Sequence, residues 1–243
     1  MAKLVGKVAL VTGGNRGIGK GIALGLGLEG AALVLVARGA EELEKTRAEL
    51  VARCFQVLPL VADITQEAQV REVFAKTVER FGRLDILVNN AGAFDGGPID
   101  ELTLETWDKV MAVNLRGPFL CTREAFRLMK KQGGGRIINI GSISAQRVRP
   151  GSAPYSVSKH GIWGLTQVTA LEGRDFGITC SCLHPGNTLV ERRQHSGKNE
   201  DDEPMMTVEE LAQTAVLMAT LPPHVNMLEA IVLPAGQMYV GRG

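Results

Sequence analysis

The chain is poor in cysteine and has no long apolar run. Its four cysteines among 243 residues are Cys54, Cys121, Cys180 and Cys182. Their spacing matches no metal-binding pattern, and Cys180 and Cys182 alternate within an apolar stretch like neighbours on one face of a strand. We therefore expect no metal site, and we expect the thiols to be buried and reduced.

The apolar segments are too short for secretion or for a membrane. The amino-terminal MAKLVGKVALVTGG holds an apolar run well below the length of a secretory signal. No later segment approaches about 18 apolar residues, the length that a membrane-spanning helix needs. The sequence therefore predicts a soluble cytoplasmic protein that does not act at a membrane.

An excess of charge of one sign is also absent. The chain carries 27 lysine and arginine residues against 26 aspartate and glutamate residues, a formal net charge of +1. These residues form no basic stripe, which disfavours nucleic acid as a partner. The one compositional break is the charged segment ERRQHSGKNEDDEP at 191–204. We interpret it as part of a loop over about 187–206 that either covers the substrate as a lid or has no role.

Short apolar runs alternate with helical patterns along the chain. KVALVT, LVLVA and FQVLPLV are followed by amphipathic patterns that begin near Ile18, Glu41 and Glu67. LDILVNNAG, RIINIGS, GITCSCLHPG and LEAIVLP are four more candidate strands, with helices over about 103–131 and 153–175 and a last helix from a capping box at Thr207-Val-Glu-Glu210. This order predicts an α/β fold: one doubly wound (Rossmann) domain over 1–243, with a seven-stranded, mostly parallel sheet and helices on both faces.

A glycine-rich turn follows the first strand. Its glycines let the backbone turn tightly and approach a pyrophosphate, whose charge is favoured by the free amides and dipole at the amino end of a helix. A tight connection without a ligand is the alternative, but the strand before the turn and the helix after it favour dinucleotide binding. The candidate cofactor-binding residues here are Gly13, Asn15, Arg16, Gly17, Ile18 and Gly19.

Arg38 ends the second strand, where NAD-binding units usually carry an acidic residue for the ribose 2′-hydroxyl. A guanidinium group there suits a 2′-phosphate, and Arg16 in the glycine turn could contact the same phosphate from the other side. The pair predicts NADP(H) in preference to NAD(H). The alternative is that both are surface arginines that only solvate loops.

Two further strand ends carry candidate cofactor contacts. Asp63, followed by Ile64, ends the third strand, where its carboxylate can either cap the next segment or accept a hydrogen bond from an adenine amine. Asn90, Ala91 and Gly92 end the fourth strand, at the edge where open sheets bind ligands. The alternative for these three is a simple turn.

Ser142, Tyr155 and Lys159 form the candidate catalytic group. Tyr155 and Lys159 are four positions apart in a helical pattern, which places both side chains on one face about one turn apart. A nearby ammonium favours the phenolate form of a tyrosine, and Ser142, which follows the fifth strand, could orient a substrate oxygen. A chance pair on a solvated helix face is the alternative for the tyrosine and the lysine alone. The group predicts proton transfer to or from a carbonyl or alcohol while another group supplies the hydride.

Together these segments resemble the short-chain dehydrogenase/reductase family. TGGNRGIG, Asp63, NNAG, Asn114 in VNLRG, Ser142, YSVSK and Pro185-Gly186 follow in that family's order and spacing over nearly the whole chain. The resemblance implies a Rossmann fold and an enzyme that interconverts a carbonyl compound and its alcohol with NAD(P)(H). It also implies that the long helices over about 102–131 pair subunits in a homodimer or homotetramer.

The resemblance further implies a role for each matching residue. Tyr155 is similar to the family's catalytic acid/base, Lys159 to the residue that favours its phenolate and holds the nicotinamide ribose, and Ser142 to the hydroxyl that orients the carbonyl. Asn114 resembles the fourth catalytic member, which holds a water that links Lys159 to solvent. The cofactor contacts implied are Asp63 near the adenine, Asn90 beside a ribose, Pro185 and Gly186 at the nicotinamide and Thr188 at its carboxamide.

The motifs leave the substrate open. The ending HVNMLEAIVLPAGQMYVGRG replaces the family's common glycine-rich ending and resembles a subgroup that acts on hydroxy acids, 3-hydroxy amino acids and related small alcohols. Arg147 and Arg149, in the loop after Ser142, either meet a carboxylate or phosphate of the substrate or belong to a solvated loop. His184 is interpreted as structural rather than catalytic.

Two rival functions stay open. One is a regulatory protein that senses NADP without turnover, and the other is an NAD-dependent alcohol dehydrogenase of the same family. The complete set of Ser142, Tyr155, Lys159 and Asn114 argues against the sensor, because cofactor binding alone needs only the first half of the chain. Epimerases and dehydratases share the Tyr/Lys pair, but such relatives are generally longer.

Overall fold

Seven parallel strands form the centre of the molecule. The computed structural model of the chain describes residues 2–53, 55–190 and 204–239. The strands are β1 (Val8–Thr12), β2 (Ala32–Ala37), β3 (Val57–Val61), β4 (Ile86–Asn89), β5 (Gly135–Ile140), β6 (Ile178–Pro185) and β7 (Glu229–Val232). They lie in the order β3-β2-β1-β4-β5-β6-β7, and every pairing between them is parallel. The predicted doubly wound sheet is confirmed, and it is parallel throughout rather than mostly parallel.

Seven helices cover the two faces of the sheet in the described part of the chain. They are α1 (Gly17–Leu28), α2 (Ala40–Val51), α3 (Glu67–Phe81), α4 (Leu104–Met111), α5 (Gly117–Gln132), α6 (Ala153–Gly173) and α7 (Val208–Thr220). The three predicted starts at Ile18, Glu41 and Glu67 fall within one residue of the observed ones. The predicted capping box is present: the Thr207 hydroxyl accepts from the Glu210 N–H, and the Glu210 carboxylate accepts from the Thr207 N–H.

Alternating side chains of each strand feed two separate cores. In β1, Ala9 and Val11 belong to a cluster with α1, α2 and α7, whereas Val8 and Leu10 belong to a cluster with α3 and α5. All five residues of β1 are buried. Strands that are covered on both faces are expected to be continuous apolar runs, which explains why the sequence showed such runs rather than an alternating pattern.

The helix predicted over about 103–131 is present over 104–132, but it contains a π-helical turn. Thr103 caps its start by accepting from the Thr106 N–H, and α4 and α5 are then joined by a π-helical turn at Ala112–Arg116. The buried side chain in that turn is Asn114. Its hydrogen bonds to the loop after β4 hold this residue at the sheet edge, and a local wide turn accommodates it. Side-chain periodicity cannot reveal such a turn, because the apolar faces on either side remain helical.

The edge of the sheet at the amino ends of the strands is held by a buried carboxylate. Asp85 is 7% exposed and accepts hydrogen bonds from Lys7 at 3.1 Å, the Val8 N–H at 3.0 Å and the Arg83 Nε at 2.7 Å. Burial acts to raise the pKa of Asp85, but these hydrogen bonds, that of Arg83 first, outweigh it and lower the pKa below its usual 3.8. The ionised Asp85 carboxylate therefore stabilises the sheet at the amino ends of its strands, the edge opposite to the one where the strands end.

Three of the four cysteines are buried free thiols, as expected. Burial raises the pKa of Cys121 and of Cys182 to about 12 and that of Cys180 still further, so the thiol form prevails at neutral pH. Cys54 lies outside the described residues.

The predicted lid over about 187–206 lies largely outside the described residues, but its two ends are described. Thr188 and Met206 form a β-bridge, in which the Leu189 N–H donates to the Met206 carbonyl at 2.9 Å and the Met206 N–H donates to the Asn187 carbonyl at 3.0 Å. The described residues at the two ends of the segment thus lie side by side, beside the end of β6. Of the helices that are described, none is long and apolar enough to cross a membrane.

Candidate active site

The carboxyl ends of the parallel strands bring the predicted site residues to one edge of the sheet. Gly13 follows β1, Asn90 follows β4, Ser142 follows β5 by two residues and Pro185 ends β6. These strands are neighbours in the order β1-β4-β5-β6. Open α/β sheets bind ligands outside this edge, where the chain reverses its direction of winding.

The glycine turn is closed by contacts that only glycine permits. Gly13 has a φ of +62°, and the Asn90 side-chain amide donates to the carbonyls of Thr12 at 2.9 Å and Gly13 at 3.1 Å. A Cβ on Gly19 would clash with both the Gly13 carbonyl oxygen and the Asn90 amide nitrogen. The Thr12 hydroxyl accepts from the Asn90 N–H at 3.0 Å. The turn and the end of β4 therefore form one preorganised unit.

This unit fits a dinucleotide. Gly17 begins α1, and Arg16, the residue before it, is the N-cap and makes no side-chain hydrogen bond to the helix. The amino end of a helix carries a partial positive charge that favours an anion. Arg16 and Arg38 are both exposed and, among the described residues, neither forms an ion pair. Of the other predicted residues here, the Asn15 carbonyl accepts from the Thr46 hydroxyl at 2.7 Å, and Ile18, in the first turn of α1, packs against the core.

Asp63 has the capping contact that was the alternative to an adenine contact. Its Oδ1 accepts from the Thr65 N–H at 2.9 Å, and its own N–H donates to the Gln69 side chain at 2.7 Å. Ile64 is buried, and its side chain packs so closely on Gly117 that a Cβ at position 117 would clash with it. A role of Asp63 and Ile64 toward a cofactor therefore stays a prediction.

Tyr155 and Lys159 lie together on α6. The Lys159 ammonium is 5.6 Å from the centre of the Tyr155 ring and donates to the Ile140 carbonyl at 2.8 Å. Lys159 is 6% exposed, and this is the one hydrogen bond that its ammonium makes among the described residues. Since an ammonium has three donors, a buried polar group with unused donors faces the edge where a ribose hydroxyl would bind.

Ser142 is joined to this pair through β5. Ile140 ends that strand two residues before Ser142, so the same lysine that approaches Tyr155 also holds the backbone leading to the serine. The Ser142 hydroxyl accepts from the Ser144 N–H at 3.1 Å. Its own proton is thus directed away from that amide and is available to a ligand oxygen.

Asn114 uses its side-chain amide within the protein. Oδ1 accepts from the Ala93 N–H at 2.7 Å, and Nδ2 donates to the Ala93 carbonyl at 2.9 Å and to the Ser158 hydroxyl at 3.1 Å. Ser158 in turn donates to the Tyr155 carbonyl at 2.7 Å. The structure therefore connects Asn114 to the start of α6, and the implied water between Asn114 and Lys159 stays a prediction.

The segment after β6 is held by residues from the carboxyl-terminal part of the chain. The Gly186 N–H donates to the Val232 carbonyl at 2.8 Å, and the Thr188 hydroxyl donates to the Gly186 carbonyl at 3.2 Å. The Asn187 N–H donates to the Gln237 side chain at 2.8 Å. Gln237 was not identified from the sequence, because nothing local in the tail indicates which distant amide it will reach.

An aromatic contact at Tyr155 was also missed. The Phe94 ring packs edge to face on Tyr155, with 4.9 Å between centroids, and 57% of Phe94 is exposed. Its position directly after NNAG and Ala93 was the available signal, because that segment follows a strand end of the site. Phe94 therefore forms an apolar wall beside the phenol.

Arg147 and Arg149 are both exposed in the loop after Ser142. The Arg147 guanidinium lies 5.5 Å from the centre of the Tyr239 ring, a cation–π contact with the tail. The Arg149 carbonyl accepts from the Ser152 hydroxyl at 2.6 Å, one residue before α6 begins. A substrate contact for either side chain stays a prediction.

His184 lies behind Ser142 in the protein interior and is fully buried. Burial lowers its pKa, which keeps the ring neutral near pH 7. Groups of three or more His, Cys, Asp or Glu side chains placed to hold a metal ion do not occur among the residues that the structure describes.

Comparison with known proteins agrees with this geometry. The family model for short chain dehydrogenases matches residues 7–201. A levodione reductase from Leifsonia aquatica is 38% identical, over 85% of this chain and 79% of the relative. A D-beta-hydroxybutyrate dehydrogenase from Rhizobium meliloti is 40% identical, over 76% of this chain and 72% of the relative.

The solved structures give the same result. A mutant of a Serratia marcescens short-chain dehydrogenase/reductase superimposes with a TM-score of 0.89 at 34% identity, over 95% of this chain and 98% of that one. The likeness thus extends across the sheet, the helices and the edge that carries the site. The chain belongs to the short-chain dehydrogenase/reductase family and is an NAD(P)-dependent oxidoreductase that acts on CH–OH groups.

Proposed function

We propose that this protein interconverts a small carbonyl compound and its alcohol with NADP(H), and that Tyr155 is the acid and base. One observation carries the proposal. The Lys159 ammonium lies 5.6 Å from the Tyr155 ring and is buried with unused donors, at the edge of the sheet where the glycine turn opens. An ammonium in that position stabilises the phenolate that remains after Tyr155 gives up its proton.

The preference for NADP(H) is supported by the two exposed arginines. Arg38 follows β2 and Arg16 stands in the glycine turn after β1, and these two strands are neighbours in the sheet. Carboxylates that would bind the ribose 2′-hydroxyl of NAD are absent from this strand end, whose residues are Ala37, Arg38 and Gly39. Two guanidinium groups without ion-pair partners in the described structure suit a phosphate.

In the reductive direction the bound cofactor supplies the hydride. Tyr155 gives its phenolic proton to the carbonyl oxygen, and Ser142 donates its hydroxyl proton in a hydrogen bond to the same oxygen. Lys159 stabilises the resulting phenolate, and in the oxidative direction the phenolate accepts the alcohol proton. Phe94 excludes water from one side of the Tyr155 ring, which strengthens these electrostatic contacts.

A homodimer or homotetramer is part of the proposal. Leu104 on α4 and Phe119 on α5 are large apolar side chains that are exposed in the single chain. Covering such a surface by a second copy removes apolar area from water. Light scattering coupled to size-exclusion chromatography measures the mass, and a monomer at micromolar concentration would contradict this part.

The cofactor preference is tested by titrating the protein with NADPH and NADH and following nicotinamide fluorescence. We expect tighter binding of NADPH, and we expect Arg38→Ala to remove most of the difference between the two cofactors. Arg53→Ala, at an exposed position beyond the end of α2, is the matched control and should retain it. Equal affinities in the unchanged protein would contradict the NADP(H) preference.

The acid/base role is tested with Tyr155→Phe and a panel of small ketones and keto acids. Removing the phenolic proton should lower kcat about 10²- to 10⁴-fold, the usual value of general acid catalysis, while NADPH binding changes little. Turnover within a few-fold of the unchanged protein would show that another group transfers the proton. If the unchanged protein binds NADPH but turns over none of these substrates, the result would favour a regulatory protein that senses NADP without turnover.

A further inference from the structure

Three side chains form a ring of contacts behind Ser142. His184 on β6 contacts the Ser142 main chain, Glu229 on β7 approaches His184, and Gln146, after the 3₁₀ turn that follows Ser142, donates to Glu229. We call Gln146, His184 and Glu229 the Ser142 brace. The brace joins β5, β6 and β7 at the edge of the sheet that carries the site.

The His184 ring contacts both main-chain groups of Ser142. Its Nδ1 lies 3.2 Å from the Ser142 nitrogen and 2.9 Å from the Ser142 oxygen. A single nitrogen cannot accept from the N–H and donate to the carbonyl at the same time. Which of the two bonds forms therefore depends on whether Nδ1 carries the proton.

Glu229 decides between the two tautomers. The His184 Nε2 is 3.2 Å from Glu229 Oε1, within ion-pair distance but not aligned for a hydrogen bond, and Nε2 is a buried atom without another partner in the described structure. A proton on Nε2 is attracted by the carboxylate, whereas an unprotonated Nε2 would point its lone pair at that oxygen. Since the Glu229 side chain is 35% exposed, it can rotate to complete the bond. The favoured tautomer has a bare Nδ1 that accepts from the Ser142 N–H at 3.2 Å. The Ser142 oxygen, 2.9 Å from the same nitrogen, then has the Ala145 N–H as its donor.

The brace fixes the direction of the Ser142 hydroxyl through its backbone. The Ser142 carbonyl accepts from the Ala145 N–H at 2.9 Å, and this hydrogen bond forms the 3₁₀ turn. The Ser142 hydroxyl accepts from the Ser144 N–H within the same turn. The turn ends at Gln146, whose side-chain amide donates to Glu229 at 3.0 Å. A rotation of the Ser142 peptide would break these contacts together.

We propose that His184 is a positioning residue for Ser142, and that Glu229 supports it by selecting the tautomer that accepts from the Ser142 N–H. This inference rests on the proposed role of Ser142 as the hydroxyl that holds the carbonyl oxygen. The charged or titratable groups around His184 are Glu229 on β7 and Lys159 and His160 on α6, and the Trp163 ring packs edge to face on it.

The test compares four proteins: the unchanged chain, Ser142→Ala, Glu229→Ala, and the two substitutions combined. Glu229 is chosen because it is partly exposed, whereas removing the His184 ring would open a cavity in the interior. We measure kcat with NADPH and the fastest substrate of the ketone panel, NADPH affinity by fluorescence, and melting temperature. Glu79→Gln, at an exposed position on α3, is the control.

We expect Glu229→Ala to lower kcat roughly tenfold, as the loss of an outer hydrogen-bond partner of a site residue typically does, with NADPH affinity unchanged. The same substitution should have no further effect in Ser142→Ala, because its action passes through Ser142. Glu229→Gln should restore most of kcat, since an amide oxygen also accepts from the Nε2 proton. A merely structural contact would move melting temperature without this pattern.

Two results would overturn the inference while leaving the proposed function in place. One is a kcat for Glu229→Ala within twofold of the unchanged protein, and the other is a loss that multiplies with that of Ser142→Ala. A Ser142→Ala protein with undiminished turnover would instead contradict the proposed role of Ser142, and the inference with it.

Discussion

The Asn90 side-chain amide donates to the main-chain carbonyl of Gly13, with 3.1 Å between nitrogen and oxygen. The same amide reaches Thr12 at 2.9 Å, so one side chain from the end of β4 closes the turn after β1. The sheet itself holds these two strands in register. The glycine turn is thus shaped by a side chain from its neighbour strand.

Asn90→Ala is therefore expected to weaken cofactor binding. Removing two hydrogen bonds to backbone carbonyls leaves the glycine turn freer to move, and a loss of about 1.4 kcal/mol would raise the NADPH dissociation constant roughly tenfold. Nicotinamide fluorescence measures the constant. Asn226→Ala is the matched control, because the Asn226 amide also donates to a backbone carbonyl, that of Cys180 at 2.9 Å. An equal loss of affinity in both variants would mean that stability, not the turn, is responsible.

Gly19→Ala should damage the same turn from the other side. The added methyl group would overlap the Gly13 carbonyl and the Asn90 amide, so the turn must open, and forced overpacking of this kind typically costs about 1–3 kcal/mol. We expect NADPH affinity to fall by roughly tenfold or more. Gly164→Ala on α6, where an added methyl group meets nothing within 4 Å, should bind NADPH like the unchanged protein. Retained affinity in Gly19→Ala would show that the turn adapts.

The Asp85 carboxylate predicts a loss of stability in acid. Its pKa is lowered in the folded chain, so the stability it contributes is fully present above the unfolded-state pKa of about 3.9 and is lost as pH falls through the lower folded value. We expect Asp85→Asn to reduce the free energy of unfolding by about 1–3 kcal/mol at pH 7. Urea unfolding at several pH values should show this difference shrinking below about pH 4. A difference independent of pH would mean that the charge of Asp85 is not what stabilises the edge.

The Arg147 guanidinium predicts a preference among substrates. Arg147 is five residues after Ser142, and its guanidinium packs against the Tyr239 ring. A charged hydrogen bond from such a group to a substrate carboxylate is worth about 1.5–3 kcal/mol. Arg147→Ala should therefore raise KM at least roughly tenfold for keto acids in the panel and leave neutral ketones nearly unchanged. Arg149→Ala tests the second arginine in the same way, and Arg174→Ala, an exposed position beyond α6, is the control. Equal KM changes for acids and neutral ketones would exclude a substrate carboxylate at this loop.

The fold and much of the site could be predicted because their signals are local. An apolar run such as KVALVT is a strand buried on both faces, the glycine turn follows it directly, and a spacing of four places Tyr155 and Lys159 on one face of α6. Parallel strands then bring residues that are far apart in sequence to a single edge.

The contacts that were missed all join distant segments through side chains. The approach of Glu229 to His184, of Gln237 to Asn187 and of Phe94 to Tyr155 depends on strand register and on the path of the tail. Hydrophobic periodicity records which face of an element is buried, but it does not record which polar atom meets which. For Arg38 and Asp63 the sequence predicted the position at a strand end, whereas the contact of either side chain with a cofactor is a prediction for the binding experiments.

The π turn at Ala112–Arg116 makes the position of Asn114 depend on the exact number of residues between α4 and α5. Each residue of an α-helix turns the chain by about 100°, so deleting Ala112 or Val113 to give one regular helix would rotate Asn114 away from Ala93. Such a deletion would favour the helical backbone and disfavour the site at once. Regularising this helix to raise heat resistance would therefore displace the side chain at the proposed fourth catalytic position, and we expect lower turnover from such a variant.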